Sequence, residues 1–415
     1  MASGITIFVV TANHNTEYFM TGRIITIFIA LLMTAATGIA ATVHDDGSNV
    51  VVGAARTSEY LPMLKGKRVA LLSNHTGMVG KEHTLDLMLR NGVNVTTIFS
   101  PEHGFRGTAS AGEHVSSSRD EKTGIPIASL YNGKTRMPAP EVMRKFDVIV
   151  CDIQDVGLRF YTYYITMLDL MNAAAAHGKE FIVLDRPNPN GMTVDGPILD
   201  MKFASGVGRL PIPVLHGMTL GELAMMAVSE GWLKNGADLQ LNVVECEGYT
   251  HATRYRLPVP PSPNLPDMKA VYLYPSTCFF EGTPVNLGRG TDMPFTVYGH
   301  PAIPPTGFSF TPRSRQGAKN PPQEGNLCHG RDLRDIPDED IIARGVDLSY
   351  VIDAYKATRL GKKFFNKFFD LLAGTDSVRI MIERGATADE IRATWADDLR
   401  RFRERRAPYL LYPEE

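Results

Sequence analysis

The chain is short of cysteine, of net charge and of the short motifs that mark cofactor enzymes, and each shortage removes a class of function. Four cysteines in 415 residues, Cys151, Cys246, Cys278 and Cys328, are too far apart for a disulfide scaffold and show no paired metal-ligand spacing. Cys151 ends an apolar run and reads as a buried thiol; Cys278 and Cys328 are the pair that could close one bridge in an oxidising compartment. A formal charge of -2 gives no electrostatic case for nucleic acid or an anionic membrane. The one basic run, residues 400–406, lies beside Asp397 and Asp398 and reads as a solvated helix face. There is no G-x-G-x-x-G, no G-x-x-x-x-G-K-[ST], no G-x-S-x-G and no H-E-x-x-H. Dinucleotide, P-loop, nucleophile-elbow and zinc-protease chemistry are therefore set aside, and no cofactor and no metal are expected.

What is present begins with an export pattern. Arg23 precedes an apolar run over residues 24–33, and small residues follow through Ala40 and Ala41. A charged start, a short apolar core and a small-residue site describe a secretory signal peptide, too short to span a bilayer, with Met20 as an alternative start. Residues 1–41 are assigned to that signal and its upstream extension, residues 42–236 to a Rossmann-like domain, and residues 237–415 to a smaller C-terminal domain that closes a cleft. The expected location is periplasmic or secreted, and an uncleaved N-terminal segment would be the one membrane contact. The oligomeric state is left open.

Four apolar runs each end in polar residues. Residues 68–72 lead into Ser73, Asn74, His75 and Thr76; 93–99 into Ser100, Pro101, Glu102 and His103; 147–151 into Asp152, Gln154 and Asp155; 181–184 into Asp185, Arg186, Asn188 and Asn190. Short β-branched runs separated by helical stretches read as parallel strands buried on both faces. The fold class is α/β, a doubly wound, mostly parallel sheet with a second α/β domain. In such sheets ligands bind outside the carboxyl ends of the strands, so the four clusters are expected on one rim. Helices are expected over 80–91, 163–177 and 219–230, the last opened by a Thr219/Glu222 capping box that suffices to explain both residues. After residue 236 come a strand near 239–245, a proline-stiffened segment over 258–266, a Gly/Pro-rich loop region over 274–305, and helices starting near Ser349 and Ala388.

The rim is rich in carboxylates, and glycoside hydrolysis needs two: an acid at the leaving oxygen, and a group that activates water or stabilises the oxocarbenium ion. Glu102, between Pro101 and the flexible Gly104 and Gly107, is the candidate acid; a helix cap or a salt bridge to Arg106 is the competing role. His103, Asp152 and Asp155 complete the catalytic candidates. Arg159, Tyr161 and Tyr163 offer a fixed charge and aromatic faces for a sugar. Asp185 and Arg186 either pair with each other or face the cleft, and Asn188 is either a ligand or a turn residue. Beyond the first domain, Asn264, Glu281, Arg289 and Thr291 stand among Pro and Gly, and Arg289 between two glycines suits capture of a carboxylate. Ser73 near His75 makes a weak nucleophile pair for an esterase or amidase.

At these residues the chain resembles the exo-β-N-acetylmuramidases of the NamZ (YbbC-like) type. The resemblance runs in order through Ser73-Asn74-His75-Thr76-Gly77, Ser100-Pro101-Glu102-His103-Gly104, Asp152-Ile153-Gln154-Asp155, Asp185-Arg186-Pro187-Asn188-Pro189, His216-Gly217-Met218-Thr219, Ser262-Pro263-Asn264, Phe280-Glu281-Gly282-Thr283 and Gly288-Arg289-Gly290-Thr291. It implies a Rossmann-like domain plus a smaller one, and removal of terminal β-1,4-linked N-acetylmuramic acid (MurNAc) from non-reducing ends of peptidoglycan fragments, with MurNAc–GlcNAc saccharides as partners. It also gives Arg289 a purpose, reading the lactyl carboxylate of MurNAc, for which Arg106 or Arg159 would be substitutes. The second catalytic role falls to Asp152, Asp155 or the sugar's own acetamido group. The competing class is a non-catalytic periplasmic muropeptide-binding protein.

Overall fold

A computed structural model describes residues 47–101, 105, 118–129 and 137–415. The signal segment and the candidates Glu102, His103 and Arg106 lie outside the described residues. Seven strands form the main sheet: β1 (Arg68–Ser73), β2 (Asn94–Ser100), β3 (Ser118–Arg119), β4 (Pro126–Ser129), β5 (Val148–Asp152), β6 (Glu180–Leu184) and β7 (Leu241–Val244). Their order is β3-β4-β2-β1-β5-β6-β7. All pairings are parallel except the edge pair β3/β4. The chain steps from β1 outward through β2 to β4, then returns to the other side of β1 with β5. That reversal between β1 and β5 is the switch point at which a doubly wound sheet opens its ligand crevice.

The central strands β1, β5 and β6 are apolar between their ends because both faces are covered. Val69, Leu71, Val148, Val150, Ile182 and Leu184 pack under helices α1 (Thr57–Leu64) and α2 (Thr84–Arg90), against Tyr60, Leu64, Leu85 and Met88. Their neighbours Ala70, Leu72, Ile149, Cys151, Phe181 and Val183 point the other way, toward α4 (Tyr163–Ala176) and α5 (Leu220–Ser229), while α3 (Pro140–Met143) is a single turn before β5. Each of the larger side chains contributes about 1.5–3 kcal/mol by leaving water.

The second core runs without a break into the C-terminal part, joining Tyr274, Phe279, Phe280, Phe295, Phe364, Phe369, Trp395 and Phe402. That part opens with α6 (Met268–Thr277), capped by Asp267, and carries a small antiparallel sheet of β8 (Val297–His300), β9 (Ser309–Phe310) and β10 (Cys328–Asp332) in the order β8-β10-β9. Helices α7 (Asp338–Arg344), α8 (Ser349–Thr358), α9 (Lys367–Ala373), α10 (Ser377–Glu383), α11 (Ala388–Ala393) and α12 (Ala396–Arg406) follow.

Several elements differ from expectation for local reasons. Strand β7 hydrogen-bonds to β6, so the sheet continues past residue 236, where the sequence pattern sets the domain boundary. The helix expected over 80–91 starts at Thr84, because residues 78–83 form a two-strand hairpin and His83 caps the helix, its Nδ1 accepting from Leu85 N at 3.1 Å. The helical end of the chain breaks more often than expected: α8 and α9 both stop at a left-handed residue, Arg359 and Gly374. Cys278 and Cys328, the pair that could have closed a bridge, are both buried and unbridged, as are Cys151 and Cys246.

Candidate active site

The ends of β1 and β5 are tied together at the switch point. Ser73 lies beside Asp152 in register. Asn74 Oδ1 accepts from Thr76 N (3.0 Å) and Thr76 Oγ1 (2.6 Å), and Thr76 Oγ1 in turn accepts from Gln154 N (3.0 Å). Gly77 passes so close that a Cβ would stand 2.2 Å from Ser73 Oγ and 3.1 Å from Asp152 Oδ2, so a larger residue there would have to displace the Ser73 hydroxyl. Asn74 Nδ2 is left buried with no partner among the described residues. Ser73 and His75 do not form a pair: Ser73 Oγ donates to Asn74 O (3.3 Å), while His75 Nε2 lies 2.9 Å from Pro260 O.

The three carboxylates at the strand ends have different environments. Asp152 is fully buried and held by a two-point ion pair, Arg186 Nε to Oδ1 at 2.6 Å and Nη2 to Oδ2 at 3.1 Å. Nη2 of the same arginine also donates to Met78 O at 3.0 Å. Burial works against the Arg186 charge, but the Asp152 carboxylate more than offsets it and holds the guanidinium above its usual range. Arg186 therefore pairs across strands with Asp152 and not with its neighbour Asp185.

Asp185 is saturated by other groups. Its Oδ1 accepts from Arg186 N (3.0 Å) and Gly221 N (2.9 Å), and its Oδ2 from Thr219 Oγ1 (2.6 Å) and Tyr412 OH (2.7 Å). Burial pushes its carboxyl up to about 6, against the pull of these donors. The Thr219/Glu222 capping box is present, but initiating α5 is not its whole role. The Thr219 hydroxyl reaches Asp185, and Glu222 Oε1 also takes Leu411 N (2.8 Å) and lies 3.0 Å from His251 Nε2. Tyr412 OH accepts from Cys246 N (2.9 Å), and Pro413 O accepts from His251 N (2.8 Å).

Asp155 has one oxygen engaged and one idle. Oδ1 accepts from Gly157 N at 2.8 Å, whereas Oδ2 is buried with no partner among the described residues. Burial pushes this carboxyl up to about 7, with backbone donors at Gly157, Val156 and Tyr164 resisting. A buried carboxyl that exchanges a proton near neutral pH is the property expected of an acid–base group. Gln154, which the sequence reading passed over, braces the loop by donating from Nε2 to Asp155 O (2.8 Å) and Pro187 O (2.7 Å).

Other candidates prove to be braces. Arg159 is fully buried and donates to three backbone carbonyls, Pro197 O (2.6 Å), Ile212 O (3.0 Å) and Leu372 O (2.8 Å); burial draws it down to about 10. It meets no carboxylate among the described residues and pins loops of both domains, which leaves it unsuited to reading a ligand's charge. Asn188 Oδ1 accepts from Asn190 N (2.8 Å) and its Nδ2 donates to Met218 O (2.9 Å), which is the turn role. Tyr161 and Tyr163 both donate to Pro261 O, at 2.8 and 3.3 Å, with ring centroids 4.7 Å apart. The proline-stiffened segment thus lies over the rim through Pro260 and Pro261, contacts made by carbonyls that no sequence pattern announces.

From there the contacts pass to the C-terminal part. Asn264 Nδ2 donates to Gly317 O (3.0 Å), which Arg289 Nη2 approaches at 3.5 Å. Arg289 Nη1 pairs with Glu281 Oε1 at 2.7 Å, both side chains about three-quarters buried (23% and 25% exposed). Thr291 closes its own turn, Oγ1 donating to Gly288 O (2.6 Å) and accepting from Met293 N (3.0 Å). The loop ends at Phe295, whose φ of 62° is a left-handed value rare for an aromatic residue. Its ring meets Tyr274 at 4.9 Å, and Tyr274 meets Tyr161 at 6.2 Å.

Two family models match the chain in succession: "Exo-beta-N-acetylmuramidase NamZ, N-terminal" over residues 69–269 and its C-terminal counterpart over residues 272–412. The chain is 37% identical over 412 residues to the peptidoglycan β-N-acetylmuramidase NamZ of Bacillus subtilis, covering 93% of this chain and 98% of that protein. Two crystal structures of DUF1343 family proteins from Bacteroides fragilis share the fold. One has a TM-score of 0.83 at 57% identity over 89% of this chain and 100% of its own, the other 0.75 at 29% identity over 88% and 99%.

Proposed function

This chain belongs to the NamZ family of exo-β-N-acetylmuramidases, and we propose that it is an exo-acting glycoside hydrolase releasing terminal β-1,4-linked MurNAc from non-reducing ends of peptidoglycan fragments, MurNAc–GlcNAc saccharides included. The observation that supports this reading best is Asp155. Burial pushes its carboxyl up to about 7, and one of its oxygens has no partner among the described residues, just past the C-terminal end of a central strand of a doubly wound sheet.

The chemistry needs a proton at the leaving oxygen and a second group on the sugar. Glu102 takes the first role, with His103 beside it. Asp155 takes the second, its idle oxygen hydrogen-bonding either to attacking water or to the sugar's acetamido group. Asp152 is unsuited to that role because both of its oxygens are held by Arg186; the pair positions the rim. Asn74 Nδ2, buried and without a partner among the described residues, is the amide available to a sugar hydroxyl. Arg289 reads the lactyl carboxylate: a guanidinium has five N–H donors, and the Glu281 pair leaves several of them available. Export to the periplasm or the medium belongs to the same reading, since the substrate lies outside the cytoplasm and residues 23–41 have the signal pattern.

Release of 4-nitrophenol from 4-nitrophenyl β-MurNAc by the purified mature protein tests the proposal. Turnover of this compound but not of the β-GlcNAc analogue, lost by several powers of ten in Glu102→Gln, is the expected result. Tight binding of a MurNAc disaccharide with no turnover would replace the enzyme by a muropeptide-binding protein.

A further inference from the structure

Residues 356–367 carry five cations, Lys356, Arg359, Lys362, Lys363 and Lys367, and no carboxylate. All five are exposed, and none forms an ion pair with a described residue. That sets them apart from the arginines of α12, where Arg400, Arg401 and Arg405 are each matched to an acidic side chain. The backbone presents them deliberately. Arg359 ends α8 in the left-handed region (φ 54°), a short 3-10 turn follows over Gly361–Lys363, and Phe364 and Phe369 anchor the turn from below, both fully buried.

A groove of about 580 Å³ lies under this turn, edged by Lys362 and Lys367. Tyr355 and Phe365 form its aromatic side, stacked at 5.4 Å with 28° between their planes. Its carboxylates, Asp370 and Glu383, are both held by Arg379, at 3.0 and 3.4 Å, so the lysines set the sign of the groove. It adjoins the loop that carries Arg289. Asn366 N donates to Gly282 O at 3.0 Å, and Gly282 lies so close to α9 that a Cβ would be 2.4 Å from Phe369 Cα. Glu281, the ion-pair partner of Arg289, is the preceding residue.

We infer that this groove is an accessory subsite for the glycan strand beyond the terminal sugar, holding its carboxylates on Lys362 and Lys367, with Lys363 of the same exposed turn adding positive charge beside it, and a sugar face on Tyr355 and Phe365. The inference rests on the muramidase reading, under which the substrate is a polyanion whose charges come from lactyl groups or from stem peptides. Single exposed ion pairs are weak, but several cations along one groove act together and are weakened by salt.

The experiment compares the wild type with Lys362→Glu/Lys363→Glu/Lys367→Glu on 4-nitrophenyl β-MurNAc, peptide-free glycan strands and peptide-bearing strands, at low and high salt. Strand binding is read by sedimentation on the same proteins, so an answer is obtained even without turnover. The variant should raise KM and Kd for strands about tenfold, leave the nitrophenyl compound within about twofold, and lose the salt dependence that the wild type shows on strands. Weakening of peptide-free strands assigns the lactyl carboxylates, which in peptide-bearing strands are tied up as uncharged amides; weakening of peptide-bearing strands alone assigns the carboxylates of the stem peptides. Unchanged strand KM and Kd would overturn the inference, as would an equal loss on the nitrophenyl compound, which would place the effect in the site itself. A wild type that binds strands but hydrolyses nothing would instead sink the muramidase reading and leave the groove standing.

Discussion

Asp155→Asn isolates the cost of one buried charge. The wild-type carboxyl is raised from 3.8 to about 7, chiefly by burial. At 1.36 kcal/mol per pK unit, the folded state holds this proton more tightly than the unfolded chain by about 4 kcal/mol. A raised folded-state value means the stabilisation is complete below the unfolded value and is lost as pH rises through the folded one. Integrating between the two values, the wild type should lose about 2.5 kcal/mol between pH 5 and pH 8 through this residue alone. Asparagine keeps the Oδ1 acceptor for Gly157 N, which the wild type uses at 2.8 Å, and carries no charge to bury. Urea denaturation of both proteins across that range is the assay. The variant should gain on the wild type steadily as pH rises and level off near pH 8. Parallel stability profiles would refute the assignment of a burial-raised carboxyl and, with it, the reason for preferring Asp155 over Asp152. The variant should also lose turnover of the MurNAc substrate while remaining folded, since the amide cannot exchange a proton.

Other perturbations separate structural from ligand-facing roles. Arg186→Met leaves Asp152 buried and unpaired and should cost about 3–5 kcal/mol in denaturant unfolding, a loss that Arg186→Lys repairs only in part because the two-point geometry is gone. Arg289→Ala should raise KM for MurNAc compounds about 10- to 100-fold, the loss of one charge-assisted contact; an equal effect on GlcNAc analogues would make the residue structural. Tyr412→Phe removes a donor from Asp185 Oδ2 and should cost about 1 kcal/mol or more in thermal unfolding, while a neutral result would mean that Thr219 alone satisfies that oxygen.

The layer architecture and the position of the rim were legible in the sequence because both rest on local pattern. A strand such as Val148–Asp152 is apolar at successive positions only when both faces are covered, and its polar end must then lie at the sheet edge. Partner choice was not legible. Asp152 and Arg186 are 34 residues apart, and only the strand order brings them together; adjacency in sequence suggested Asp185 instead. Arg159 read as a fixed charge beside the aromatic faces of Tyr161 and Tyr163, but it turns inward to carbonyls from loops that no motif marks. Thr219 and Glu222 were read from their spacing as a cap, which is present, yet the same pattern says nothing of the chain end that comes back to them. Glu102 stays a reading of the sequence, since it lies outside the described residues.

That returning segment sets a clock on the molecule. Asp185 and Tyr412 are 227 residues apart, so at 5–20 residues per second the ribosome delivers the second roughly 10–45 seconds after the first. Through that interval a buried carboxyl at the end of β6, together with Glu222 and His251, has only part of its hydrogen-bonding complement. The hydrogen bonding of Asp185 and Glu222 is therefore completed only when the chain end arrives. Leu411 and Tyr412 thus complete the hydrogen bonding of a layer whose first strand was synthesised more than three hundred residues earlier.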